Sequence, residues 1–253
     1  MDEARAVSAR TGVEIPEMQP IPGGDGAPKA GGRTGFAGLF GDYLLPTLVL
    51  GLMSATGLVL VYSLNTWLPE LMLRAGFNAK GSLSFLVVLN GGAVLGALGA
   101  SRVADRFGPK PVVAASFLIG AVSIALLTLD LPLGVLLAVV AVVGLGTSGT
   151  QTLIYGFVAN YYRTNVRGAG VAWCAGFGRF GGVAGPLLGG FLISAGSELN
   201  AIFYVLAGLG LLGLLLTLLV PISRAPRELR STLIEPTPKA ALGQVAAAAA
   251  GKT

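Results

Sequence analysis

Apolar residues in this chain run in long blocks, and charged residues fall almost only between them. Uncharged stretches cover Tyr43–Pro69, Gly81–Ser101, Pro111–Leu129, Leu131–Tyr162, Gly168–Ser197 and Leu199–Ser223, the fifth interrupted by Arg179 alone. A helix crossing the hydrocarbon needs about 20 mainly apolar residues, and each stretch meets or approaches that length. The strict alternation of an outer-membrane strand, at a spacing of roughly 10 residues, is missing. The pattern predicts an all-α membrane protein with six transmembrane helices over residues 42–222.

The flanks read differently. Residues 1–41 open with acids, lack an apolar core and are broken by Pro16, Pro20, Pro22 and Pro28. A secretory signal starts basic and continues with about 7–15 apolar residues. This segment is therefore expected to be a disordered cytoplasmic tail or linker. Residues 223–253 carry Arg224, Arg227 and Arg230 before an alanine-rich end. A second solvated cytoplasmic tail is expected there.

Composition strengthens the membrane reading. Apolar residues make up 53% and charged residues 11% of the 253, with a mean hydropathy of +0.77. A soluble domain carries roughly 25% charged residues to cover its surface. The single cysteine, Cys174, excludes an internal disulfide, and the lack of histidine removes the commonest metal ligand. No metal or cofactor is expected. The net charge of +5 belongs to loops rather than to a nucleic-acid surface. Arg102, Arg106, Lys110, Arg163 and Arg167 share one side with the basic residues of both flanks, whereas Arg74 and Lys80 lie opposite. Positive loops mark the cytoplasmic side. Both termini are thus expected in the cytoplasm, and the protein in the plasma (inner) membrane.

Polar residues inside the spans are few and grouped. Tyr62, Asn65 and Thr66 cluster toward the outer part of the first span, and Asn90 stands alone in the second. Thr147, Ser148, Gln151 and Tyr155 recur at helical spacing along one side of the fourth. Two readings compete: hydrogen bonds between helices, worth about 0.6 kcal/mol each, or the lining of a polar cavity. Glycines at four-residue spacing, Gly92 and Gly96, then Gly181, Gly185 and Gly189, predict close helix packing. They lack the strand and the lysine of a phosphate-binding loop.

The connection Ser101–Pro111, "SRVADRFGPKP", reads by itself as a short charged turn. It also resembles the G-x-x-x-D-R-x-G-R-K loop of the major facilitator superfamily, matched here by Asp105, Arg106, Gly108 and Lys110. Ser101 and Pro109 depart from that pattern. The segments "YSLNTWLPELMLRAGF", "FLVVLNGGAVLGALGA" and "VRGAGVAWCAGFGRFGGVAGPLLGG" resemble the aromatic acid:proton symporters of that superfamily. The G-x-G-R-x-G-x-x-x-G-P run from Gly176 to Pro186 is the most specific of them. The resemblance covers residues 42–221 and corresponds to a C-terminal half, one 3+3 inverted repeat of a facilitator fold.

Several expectations follow from the resemblance. The chain is expected to move a small organic anion, an aromatic carboxylate, together with protons, facing an N-terminal six-helix half across a central cavity. The first and fourth spans line that cavity in the family, while the third and sixth are peripheral supports. The Asp105 loop implies a cytoplasmic gate, because a carboxylate at a helix end or beside an arginine makes a contact that breaks and re-forms. Arg179, Asn90, Gln151, Tyr155, Tyr62 and Asn65 are the expected substrate-binding residues. Arg179 carries the most weight, since an arginine at a helix centre costs about 2.5–3.5 kcal/mol on insertion scales and faces a cavity or a partner. No acid lies within the six stretches to neutralise it. Its partner is a substrate carboxylate, an acid on the other half, or backbone carbonyls. The alternative function is a truncated or split half without transport of its own, serving as a structural or regulatory membrane protein. An intramembrane enzyme would need a nucleophile–base pair, paired carboxylates or metal ligands, and the spans supply none.

Overall fold

The computed structural model describes residues 34–221, and all regular structure among them is helical. The elements are α1 (Gly35–Asp42), α2 (Leu44–Arg74), α3 (Ala79–Phe107), α4 (Pro109–Leu126), α5 (Leu133–Gly144), a π-helical turn (Leu145–Gly149), α6 (Thr150–Tyr161), α7 (Thr164–Ser194) and α8 (Leu199–Leu219). α5, the π turn and α6 form one continuous span, Leu133–Tyr161. Six spanning segments result, in the predicted places. Five are long and apolar enough to cross a membrane by length and composition. The sixth, α7, has 31 residues, but its glycines and Arg179 dilute its apolar character.

One expected boundary shifts. The N-terminal tail was expected to run to residue 41, yet Gly35–Asp42 is helical. Leu39 is fully buried, and the Phe40 ring meets Trp173 of α7 edge-on at 4.9 Å. Burial of these two side chains holds a segment too short to be helical alone. The expected tails over residues 1–33 and 223–253 lie outside the described residues.

The turn between α3 and α4 follows from two residues. Gly108 adopts φ +89°, a conformation that strains any side chain with a Cβ. Pro109 starts α4, where a missing N–H costs nothing because the first turn has no intrahelical acceptor. α3 therefore ends and α4 begins on consecutive residues.

α2 and α7 run side by side and form the tightest seam. Small residues make it possible: a Cβ on Gly181 would strike the Ala55 backbone, and one on Gly185 would lie 2.6 Å from the Val59 carbonyl. Such approach lets side chains bond to the opposite backbone. Ser54 Oγ donates to the Cys174 carbonyl at 3.0 Å, Ser63 Oγ to Gly185 at 2.8 Å, and Trp67 Nε1 to Pro186 at 2.9 Å. Trp173 Nε1 returns a bond to the Thr47 carbonyl at 3.0 Å. The predicted Gly92 and Gly96 contacts occur as well, against Ala141 and Leu145. α4 packs against α8, where Gly210 meets Ala121 and Gly213 meets Phe117.

Candidate functional site

Four of the six expected binding residues fall into two hydrogen-bonded pairs along α2, one reaching α7 and one reaching α3. Arg179 Nη1 on α7 donates to the Tyr62 hydroxyl on α2 at 3.5 Å. One turn along α2, Asn65 Oδ1 accepts from Asn90 Nδ2 of α3 at 3.0 Å. Asn90 Nδ2 also donates to the Leu86 carbonyl at 2.9 Å, and Asn65 Nδ2 to Val61 at 2.8 Å. Arg179, Tyr62 and Asn90 are exposed, and Asn65 is half-buried.

The local sequence explains why this cluster is open. Gly182 sits against the Tyr62 ring, where a Cβ would come within 3.2 Å, and nothing lies within 4 Å of a Cβ on Gly176. Both glycines flank Arg179 at three residues and leave room around its guanidinium. Among the described residues the only ion pair is Arg74–Glu70 at 3.1 Å, so Arg179 has no carboxylate partner there. An exposed guanidinium with its remaining N–H groups unpaired among the described residues is suited to bind a planar anion through two parallel bonds.

Gln151 and Tyr155 do not join this cluster. Gln151 is 6% exposed, and its Nε2 donates to Ser54 Oγ at 3.3 Å. Ser54 lies eight residues before Tyr62 on α2, about 12 Å along the axis at 1.5 Å per residue. Gln151 thus ties α6 to the α2–α7 seam through the Ser54–Cys174 bond. Its Oε1 is buried without a hydrogen-bond donor, as is Ser148 Oγ. Thr147 and Gln151 turn inward, whereas Thr152 is exposed and Tyr155 half-buried. Thr147 spends its hydroxyl on Val143 of its own helix at 2.7 Å. Ser54 and Thr152 were not singled out in the sequence, because single hydroxyl residues in apolar spans carry no periodic signal.

At the α3–α4 turn, Asp105 and Arg106 are exposed. Arg106 lies over the Phe107 ring at 5.9 Å, and Asp105 has no ionic partner among the described residues. Lys110 is engaged: its Nζ donates to the Val220 carbonyl at 2.6 Å and to Leu218 at 3.2 Å. It caps the C-terminal end of α8, where backbone carbonyls lack helical partners. The expected gate motif thus divides into an exposed, unpaired Asp105 and Arg106, a glycine turn and a lysine clamp.

A groove of about 800 Å³ lies between α3, α4 and α5 and is lined by apolar residues such as Leu95, Val103, Phe107 and Ile119. It does not include the polar cluster. Among the described residues no group of three or more His, Cys, Asp or Glu side chains is placed to hold a metal. Cys174 is buried in the α2–α7 seam.

Comparison with known proteins agrees with this architecture. A family model described as Major Facilitator Superfamily matches residues 47–249. The chain is 39% identical over 137 residues to a benzoate transport protein of Acinetobacter baylyi, covering 54% of this chain and 29% of that protein. It is 36% identical over 184 residues to a gentisate transporter of Corynebacterium glutamicum, covering 72% and 41%. A 4-hydroxybenzoate transporter of Pseudomonas aeruginosa is 32% identical over 195 residues, covering 76% and 41%. The matches thus span well under half the length of these relatives. The family match over most of the chain, with these relatives, gives one conclusion: this chain belongs to the Major Facilitator Superfamily.

Proposed function

We propose that the chain forms one wall of a secondary transporter that moves an aromatic carboxylate across the plasma membrane. The observation that carries this reading is Arg179: an exposed guanidinium in a spanning helix, bonded to Tyr62 and without a carboxylate partner among the described residues. The relatives named for benzoate, gentisate and 4-hydroxybenzoate supply the ring chemistry. In this account Arg179 holds the carboxylate, Tyr62 adds a second donor, and Asn65 and Asn90 border the ring. Tyr155 and Thr152 extend the wall along α6, while Gln151 fixes that wall in place from behind.

Transport needs an opposing wall, since facilitator substrates sit between two six-helix units. A companion N-terminal half supplies it in this proposal. Proton coupling is assigned to that half as well, because no Asp or Glu lies inside the six uncharged stretches here. Both termini face the cytoplasm, and Asp105 with Arg106 gates that side. A second reading has the chain alone binding without transporting. Uptake of labelled benzoate by cells making the chain alone, or with an N-terminal half, separates the two. Uptake only with the companion supports the half-transporter, and no uptake in either case with retained binding supports the second reading. Absence of binding by the purified chain in lipid nanodiscs contradicts both.

A further inference from the structure

The groove between α3, α4 and α5 lies apart from Arg179. It starts at the α3–α4 turn, where Phe107 and Pro111 line it, and ends at the level of Gly92 and Ala141. From Gly92 to Val103 α3 rises about 16 Å, close to one leaflet of a hydrocarbon core about 30 Å thick. A spanning helix of a partner would need a groove running the full thickness. One glycine deepens the trough. A Cβ on Gly92 or Gly96 would strike Ala141 or Leu145, so packing against α5 accounts for both. Gly99 lines the same groove, yet nothing lies within 4 Å of a Cβ placed there. No contact of the described fold requires its missing side chain.

The mouth of the groove is basic. At about 100° per residue, Arg106 falls on the stripe of Leu95 and Gly99, and Arg102 follows Leu95 by two turns. Asp105 is turned about 200° from Val103, nearly opposite the groove. Arg106 lies over the Phe107 ring at 5.9 Å, and Arg102 spends one N–H on the Leu98 carbonyl at 3.4 Å. Both arginines are exposed, and neither has an ionic partner among the described residues. Lys110 is turned instead to Val220.

We propose that this groove holds an acyl chain of an anionic phospholipid, with its headgroup phosphate on Arg106 and Arg102. An apolar trough one leaflet long, with guanidinium groups at its surface end, complements a molecule that is apolar along its length and negative at its tip. Basic pockets between transmembrane helices hold such headgroups, and a guanidinium pairs bidentately with phosphate. The site is independent of the reading of Arg179 as a carboxylate holder.

The experiment places a fluorophore at the mouth. Exposed Phe107 becomes tryptophan, which keeps a ring under Arg106. The 253-residue chain with Phe107→Trp is reconstituted in phosphatidylcholine vesicles that contain a small fraction of acyl-brominated phosphatidylglycerol or phosphatidylcholine. Emission of Trp67 and Trp173 in the α2–α7 seam is subtracted using the wild-type chain. Brominated phosphatidylglycerol is expected to quench equally at an about fivefold lower mole fraction, the effect of one arginine near the surface. Arg106→Gln abolishes this preference. Arg163→Gln, which removes a charge before α7 and outside the groove, retains it. Gly99→Leu fills the groove without striking the fold and lowers quenching by both lipids.

Equal quenching by the two lipids overturns the proposal, and so does an equal loss of preference in Arg163→Gln, since surface charge alone then attracts the lipid. Unchanged quenching in Gly99→Leu puts the chain outside the groove and overturns it too. Loss of the phosphatidylglycerol effect on reconstitution with an N-terminal half also overturns it and identifies a partner helix as the occupant. The comparison of the two lipids in Phe107→Trp alone decides the headgroup preference should a further variant fail to fold.

Discussion

The guanidinium of Arg179 and the hydroxyl of Tyr62 lie 3.5 Å apart across the α2–α7 seam, with the arginine donating. Tyr62 therefore orients the guanidinium and presents its own O–H to the same space. Removing the hydroxyl in Tyr62→Phe keeps the ring that packs on Gly182 and deletes both contributions. Affinity for an aromatic carboxylate is expected to fall by about three- to tenfold, the effect of one hydrogen bond, with thermal stability unchanged. Binding isotherms of the two proteins check this, and equal affinities would place Tyr62 outside the site.

The seam itself is testable through Gly181. A Cβ there strikes the Ala55 carbonyl, and backbone cannot move aside as a side chain can. Overpacking costs about 1–3 kcal/mol, and each kcal/mol lowers Tm by roughly 2–4 °C for a domain of this size. Gly181→Ala is expected to unfold at a temperature lower by several degrees, while Gly176→Ala, with open space around it, matches wild type. Buried Cys174 serves as the reporter, since a thiol-reactive dye labels it only when the seam opens. Equal midpoints for both variants would contradict the packing.

Asp105 is open to solvent and holds up no part of the described fold, so Asp105→Asn is expected to leave membrane abundance and Tm unchanged. If it gates the cytoplasmic side, uptake per molecule by a complete pair of halves falls several-fold. Unchanged uptake would reduce this loop to a turn. Lys110→Ala should behave oppositely and lower stability, because it removes the clamp on Leu218 and Val220.

Orientation has its own measurement. In a Cys174→Ala background, Lys80→Cys should react with an impermeant thiol reagent in intact cells, and Arg163→Cys should not. The reverse pattern would invert the topology.

The spans were legible because a charge inside hydrocarbon is costly, so uncharged runs end where helices leave the membrane. Arg179 was legible for the same reason, as one charge in a run without others. α1 was not, since GFAGLFGD has no cap or period of its own and is held by Leu39 and Phe40 through tertiary burial. The π turn was also hidden. It sits where Gly144 meets Leu89 and Gly146 meets Gly120, contacts that exist only after α3 and α4 have packed. Gln151 is buried against α2 through its bond to Ser54, a contact between helices that its spacing from Tyr155 does not reveal. The Asn65–Asn90 pair joins different helices, and their spacing along the chain says nothing of it.

The central claim is that Arg179 holds a carboxylate, and Arg179→Lys tests it most directly. Lysine keeps the positive charge but lacks the planar fork that pairs with both oxygens. Equilibrium binding of labelled benzoate to the wild-type and variant chains, normalised to folded protein, is the measurement. The account predicts a dissociation constant raised by about tenfold or more, the effect of replacing a bidentate charge-assisted pair with a single point contact. An unchanged dissociation constant would contradict it and remove Arg179 from the site.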